Sequence, residues 1–337
     1  MNQHCRLGLL GLGKWARRAY LPNLALMDDV QLVAVSTRTD ANRAAAAEWL
    51  GPNTAVLPDW RELLKRSDLD GVIVATAPES HCEIAASALD CGLPVLCEKP
   101  LALTLDECDR LLEAERQSLA FLQVGLEFRH APVLCQAKKW VAEGRLGQVT
   151  QVWCSIFRDK RDSPRRQPER WVENGGVFVE FLCHYFDMLT ALSGGVPERV
   201  SGVAGQALRS GAWDHGWLNI EYDSGALGHV GYSLLCPRDA ERLELGVAGD
   251  RAVLEIMLGQ GRLVLQAHDG DRLDWQAPPV DHPSEPYPGS FEQLRHFIGC
   301  LRTGEPSPIN GVVGRQMLSL GYGAERAVRA QRSVALR

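Results

Sequence analysis

The sequence predicts an α/β protein: a doubly wound parallel sheet, then an α+β domain on a large, open, mostly antiparallel sheet. Three observations carry this reading. Short, continuously apolar runs alternate with helical patterns over the first third of the chain. The texture changes near Val124, and beyond Arg199 strand patterns follow one another at short spacing with turn residues between them. A chain of 337 residues is long enough for two cores, and 45% apolar with 23% charged residues is ordinary globular composition.

The first domain is expected over residues 1–123. Apolar runs at 6–10, 31–35, 71–75, 94–97 and 121–124 are rich in Val, Leu and Ile, with helical patterns at 14–26, 40–50, 60–65, 81–91 and 105–117 between them. Strands without polar alternation are buried on both faces, as in a parallel sheet covered by helices. Right-handed crossovers then give a Rossmann-type domain.

The second domain is expected over residues 124–337. A helix at 133–143 leads through Gly144-Arg145-Leu146-Gly147 to a strand at 149–157, and after a charged loop a helix follows at 176–192. Strand patterns at 199–206, 217–222, 226–234, 241–247, 252–256 and 262–266, with turns such as Asp223-Ser224-Gly225, read as an antiparallel meander. Helices at 290–302 and 311–331 close the chain. An open sheet leaves one face to be covered, so a homodimer or homotetramer paired through it is expected.

Charge narrows the function classes. Lys and Arg total 36 against 42 Asp and Glu, a net charge of -6, which is unsuited to a nucleic-acid backbone. No apolar run approaches the ~20 residues of a membrane span. The N-terminus lacks a basic region followed by an apolar stretch and a cleavage site, so a cytoplasmic protein is expected. The 10 cysteines form no C-x-x-C pair and read as reduced packing residues, with no metal site.

Between the first strand and first helix, Gly11-Leu12-Gly13-Lys14-Trp15-Ala16 forms G-x-G-x-x-A. Gly11 permits a tight turn, and Gly13 lets the backbone approach a pyrophosphate. Ala16 allows close helix–strand packing, while the helix opening at Lys14 and Trp15 offers free N–H groups to the anion. A carboxylate usually closes the second strand when NAD is bound; here Ser36-Thr37-Arg38 stands there, and Asp40 reads as the cap of the next helix. Ser36, Thr37 and Arg38 could hold a 2′-phosphate, so NADP is preferred over NAD.

Two further stretches carry chemistry. Glu98-Lys99-Pro100 follows the strand at 94–97, and Pro100 keeps Lys99 extended, so its ammonium can point into the ligand crevice. In the helix at 176–192, Glu180, His184 and Asp187 are spaced to share one face among apolar neighbours. An imidazole beside a carboxylate suits proton transfer near pH 7. A histidine satisfied in the core between two acids fits the same spacing.

With these residues in view, the chain resembles the Gfo/Idh/MocA oxidoreductases, the glucose–fructose oxidoreductase and inositol dehydrogenase family. The resemblance runs through Gly11–Ala16, Ala75-Thr76-Ala77-Pro78-Glu79-Ser80-His81, Glu98-Lys99-Pro100, Val124-Gly125-Leu126-Glu127-Phe128-Arg129, Gly144–Gly147 and the Glu180/His184/Asp187 helix. It implies hydride transfer between a nicotinamide and a carbinol or keto carbon of a sugar, cyclitol or related polyol. Carried over, Lys99 contacts the reacting hydroxyl and His184 is the general acid/base; either Asp187 or Glu180 could orient the imidazole, with Asp187 preferred as its support and Glu180 as a substrate contact. Thr76, Pro78, His81 and Glu98 are then placed with the dinucleotide. Two positions depart from the family pattern: Glu180 stands where Asp is usual, and Leu182 where a small residue is common. Both bear on the substrate side.

The loop 158–170 is rich in arginine and precedes the second helix, so Arg165, Arg166 and Trp171, with Arg129, are candidate substrate contacts. A solvated loop is the simpler reading. Two relatives of the fold define other outcomes: an NAD-dependent glycoside hydrolase, and a non-catalytic, sugar-responsive regulator.

Overall fold

The computed structural model describes residues 4–161, 175–208, 211–279 and 287–336. The chain divides into two compact units, Met1–Glu127 with Val280–Arg315, and Phe128–Pro279 with Gln316–Arg337.

The first unit carries β1 (Cys5–Leu10), β2 (Val30–Ser36), β3 (Ala55–Leu57), β4 (Gly71–Val74), β5 (Val95–Glu98) and β6 (Leu122–Gly125). They form a six-stranded sheet in the order β3-β2-β1-β4-β5-β6, parallel throughout. β4, β5 and β6 are buried over their whole length, as strands covered on both faces must be. The order reverses between β1 and β4, so the loops leaving these two strands, at Gly11 and Ala75, flank the switch point where such sheets bind ligands. The edge strand β3 was not foreseen: three half-buried residues are too few to show a period.

Helices α1 (Leu21–Leu24), α2 (Asp40–Ala44), α3 (Trp60–Leu64), α4 (His81–Asp90) and α5 (Leu105–Gln117) connect the strands. α5 begins with a capping box between Thr104 and Glu107. The expected continuous helix at 14–26 is interrupted by a π turn at Ala16–Tyr20, where the Leu21 N–H donates to the Ala16 carbonyl. Asp40 does not cap α2. Thr39 holds the cap position without a side-chain bond, and the Asp40 carboxylate pairs with Arg43.

The second unit carries α6 (Pro132–Ala142), β7 (Val149–Phe157) and, after a π turn at Val177–Phe181, α7 (Cys183–Ser193). Next come β8 (Pro197–Gly205), β9 (His215–Tyr222), β10 (Leu227–Ser233), β11 (Arg242–Gly249), β12 (Ala252–Met257), β13 (Arg262–Ala267) and β14 (Arg272–Gln276). α8 (Ser290–Thr303), α9 (Gly311–Ala330) and β15 (Val334–Ala335) complete the chain. The nine strands run β14-β13-β12-β11-β7-β10-β9-β8-β15. The meander is therefore split: β7 enters its centre, antiparallel to β11 and parallel to β10. α6 and α7 cover one face. The other face carries Val203, Trp217 and Leu227 exposed, with the Trp217 ring stacked on His229. The short edge strands β14 and β15 were also not foreseen.

The expectation that everything after residue 124 belongs to the second domain does not hold for α8. Leu294, Phe297, Ile298 and Cys300 recur at helical spacing and pack into the first unit's core with Leu7, Leu9 and Leu96. The Phe297 ring meets Phe121 edge-on at 5.7 Å. Outside the helix ladder, Arg295 and Arg302 bind Asp29.

The 10 cysteines are all free, and Cys91 and Cys135 alone are exposed. No described helix is long and apolar enough to cross a membrane.

Candidate active site

Gly11 leaves β1 with φ +103°, and a Cβ there would lie 2.5 Å from the Ala75 carbonyl oxygen. Only glycine lets the turn press against the end of β4. A Cβ on Gly13 would meet nothing within 4 Å, so the space above the turn is open. Gly13 and Lys14 are exposed, Trp15 is half-buried, and Ala16 is fully buried against the sheet. The open cradle, the glycine turn and the start of a helix fit the pyrophosphate of a dinucleotide.

At the end of β2 the three expected phosphate contacts separate. Ser36 and Thr37 are buried. The Ser36 carbonyl accepts from the Gly11 N–H at 2.9 Å, and the Thr37 hydroxyl accepts from Asn42 Nδ2 at 3.4 Å. Arg43 Nη1 donates to the carbonyls of Thr37 and Arg38 at 3.0 and 2.7 Å. The Ser36 backbone and the Thr37 side chain thus serve the turn, and Arg38 alone of the three is exposed.

His81 ties the next two loops together. Its Nδ1 lies 2.8 Å from the Pro100 carbonyl oxygen and its Nε2 3.3 Å from that of Thr76. Burial holds its pKa below the usual histidine value. Thr76 Oγ1 accepts from Ser80 at 2.8 Å, and Pro78 opens a 3₁₀ turn. The Lys99–Pro100 peptide is cis. His81 is therefore a brace between the loop that faces Gly11 and the loop that carries Lys99.

Glu98 is also more internal than a direct ligand. It is buried, and its Oε1 accepts from Trp15 Nε1 at 2.7 Å and Tyr20 Oη at 2.5 Å, while Oε2 accepts the Lys99 backbone N–H at 3.1 Å. Burial pushes its carboxyl up, against the Tyr20 bond and the Lys99 charge. Tyr20 went unremarked in the sequence, although a tyrosine on an otherwise apolar helix face signals a hydroxyl needing a partner.

In the second unit, the predicted single helix through Glu180, His184 and Asp187 is two pieces. Glu180 lies in the π turn, closed by Leu182 N–H to Val177 carbonyl at 2.9 Å, and His184 and Asp187 lie in α7. The one-face argument holds for the last two only, because a π turn changes the angular step between residues. Glu180 is buried and His184 half-buried. The Phe128 ring lies 5.0 Å from the imidazole. Asp187 is buried, and its carboxylate is held by Arg129, whose Nε lies 2.8 Å from each oxygen. Burial pushes the Asp187 carboxyl up, and Arg129 opposes this. Arg129, expected at the substrate, thus spends its guanidinium on Asp187.

Of the charged loop, Arg158 pairs with Glu241 and Arg161 with Asp159. Arg165, Arg166 and Trp171 lie outside the described residues. No cluster of metal-ligating side chains occurs among the described residues.

Comparison with known proteins identifies the family of both parts of the chain. Residues 5–126 match the model of an oxidoreductase family with an NAD-binding Rossmann fold, and residues 134–255 match the GFO/IDH/MocA C-terminal domain. The chain is 27% identical to a myo-inositol 2-dehydrogenase of Thermotoga maritima, over 98% of each chain. It is 24% identical to a scyllo-inositol 2-dehydrogenase (NAD(+)) of Bacillus subtilis, over 98% of this chain and 95% of that one. A solved probable dehydrogenase from Thermotoga maritima superposes with a TM-score of 0.83 at 25% identity, covering 98% of both chains. Nothing in these matches favours NADP over NAD. With an NAD-binding Rossmann domain and the characteristic second domain in one chain, this protein belongs to the Gfo/Idh/MocA family and is a dehydrogenase acting on CH–OH groups.

Proposed function

We propose that this enzyme moves hydride between NAD and a ring carbinol carbon of a cyclitol or closely related sugar, with Lys99 and His184 as the polar pair acting on that hydroxyl. The observation that carries the reading is the His81 brace. Gly11 packs against Ala75, and His81, which closes the turn that starts at Thr76, sets its Nδ1 2.8 Å from the Pro100 carbonyl, so the dinucleotide turn and the backbone beside Lys99 are packed into one assembly. Two relatives that match this chain nearly end to end are named as inositol 2-dehydrogenases, which supports the substrate class.

When bound, the nicotinamide supplies the hydride acceptor or donor. Gly11, Gly13 and the helix start at Lys14 would hold its pyrophosphate. Lys99 stabilises negative charge on the substrate oxygen as the hydroxyl proton leaves. His184 takes that proton. In ketone reduction the same imidazole returns the proton. The exposed Arg38 is the side chain that would admit the 2′-phosphate of NADP.

The test is a screen of inositols, other polyols and keto-sugars against NAD and NADP, following the absorbance of reduced nicotinamide. His184→Ala lowers turnover by roughly 10²–10⁴-fold and leaves dinucleotide affinity nearly intact. Full activity in that variant removes His184 from the reaction. Turnover of glycosides without net reduced cofactor would place the enzyme among the hydrolases instead.

A further inference from the structure

Arg129 and Asp187 form an enclosed ion pair, with side chains 11% and 1% exposed and Nη2 of the arginine 2.6 Å from Oδ1. Asp187 follows His184 by three positions in α7, so the two side chains are neighbours on the helix surface. Phe128, adjacent to Arg129 in the chain, lays its ring against His184. Consecutive residues therefore hold two side chains one helical turn apart.

We propose that Arg129 is a positioning residue for His184: it cancels the charge of Asp187 beside the imidazole, so the histidine stays a neutral proton acceptor while Phe128 sets its ring. This rests on His184 being the acid/base group. A lone carboxylate one helical turn from the imidazole would draw a proton onto it, and a lone guanidinium there would oppose protonation; a close pair largely cancels both. Asp187 consequently acts through charge balance with Arg129, and not as the acceptor that orients the ring. The same region holds Lys138 on α6, Cys154 on β7 and Tyr222 on β9. It also holds Arg158, which bonds Tyr185, and Glu180 in the preceding π turn. All of these persist in the variants below, so a difference between variants reports the pair.

The experiment titrates isotopically labelled histidines by NMR in the full chain without cofactor, alongside the pH profile of kcat/KM for polyol oxidation. His184→Gln identifies the His184 resonance among the 9 histidines. Asp187→Asn leaves the guanidinium unbalanced, and the His184 pKa and the acidic limb of the profile move down by about 0.5–1 pH unit. Arg129→Met combined with Asp187→Asn removes both charges and returns the pKa to within about 0.3 unit of the wild-type value. Equal displacement in the single and double variants, or none in either, overturns the proposal. If Asp187→Asn fails to fold, Arg129→Met is read in its place: the unbalanced carboxylate moves the His184 pKa up by about 0.5–1 pH unit, and an unmoved pKa ends the proposal. Should His184→Gln retain full activity, the functional reading fails while the titration still tests the charge balance.

Discussion

Trp15 and Glu98 stand 83 residues apart and meet in a hydrogen bond of 2.7 Å that joins the first helix to the end of β5. The carboxylate also accepts from Tyr20 and from the Lys99 backbone, so one buried side chain links the nucleotide helix to the lysine loop. Trp15→Phe keeps a ring but removes the donor, and should cost about 1–3 kcal/mol in denaturant unfolding. Its pH dependence has a definite sign. Burial raises the Glu98 pKa in the fold, so the folded state holds that proton more tightly than the unfolded chain. This contribution is present at acid pH and lost as pH rises from about 4.3 through the folded value. Losing a donor raises the folded pKa further, so the deficit of Trp15→Phe should widen between acid and neutral pH. A constant deficit would show that Glu98 does not titrate with the bond.

The two glycines of the nucleotide turn should fail differently. At Gly11 a Cβ meets backbone at 2.5 Å and φ is +103°, so Gly11→Ala costs about 3 kcal/mol or more, measured by thermal unfolding. At Gly13 the same Cβ meets nothing within 4 Å of protein, so Gly13→Ala keeps stability within about 1 kcal/mol. Its defect belongs to the dinucleotide, whose affinity by calorimetry should fall about tenfold or more. Normal binding by Gly13→Ala would mean that the pyrophosphate does not approach this turn.

Asp68 secures the entry to the first sheet. The Arg66 bond and then the Arg6 bond hold its carboxyl below the usual carboxylate range. Arg66 Nε lies 2.9 Å from Oδ1, and Arg6 Nε reaches the Asp68 carbonyl at 2.8 Å. A lowered carboxyl pKa gives stability that is complete above about 3.9 and lost as pH falls through the folded value. Asp68→Asn should therefore cost about 0.5–1 kcal/mol at neutral pH, since the pair is part-exposed. That difference should vanish in acid, as followed by urea unfolding at several pH values.

Much of the architecture was legible because it is written in local periods. The helices α6, α8 and α9 fall within a residue or two of their apolar patterns, and β7 through β13 follow theirs as closely. What escaped was short or non-local. β3 and β15 have three and two residues, too few to repeat anything. The π turns at Ala16–Tyr20 and Val177–Phe181 leave the apolar spacing almost unchanged while altering which side chains align. At the site, the residue types Gly11, Glu98, His81 and Asp187 were recognised, yet their partners Tyr20, Pro100 and Arg129 were not paired with them in advance.

The sequence by itself determined the plan of a parallel sheet followed by a mostly antiparallel one, the glycine turn after β1 and the candidate chemistry of Lys99 and His184, because turn geometry and helical or strand spacing are properties of neighbouring residues. The tertiary structure decided which groups work on each other: Glu98 with Trp15 and Tyr20, His81 with two loop carbonyls, Asp187 with Arg129, and α8 with the first sheet. A buried polar group must find a partner wherever the chain brings one within about 3 Å, and that choice is made in space, across separations that no local pattern encodes.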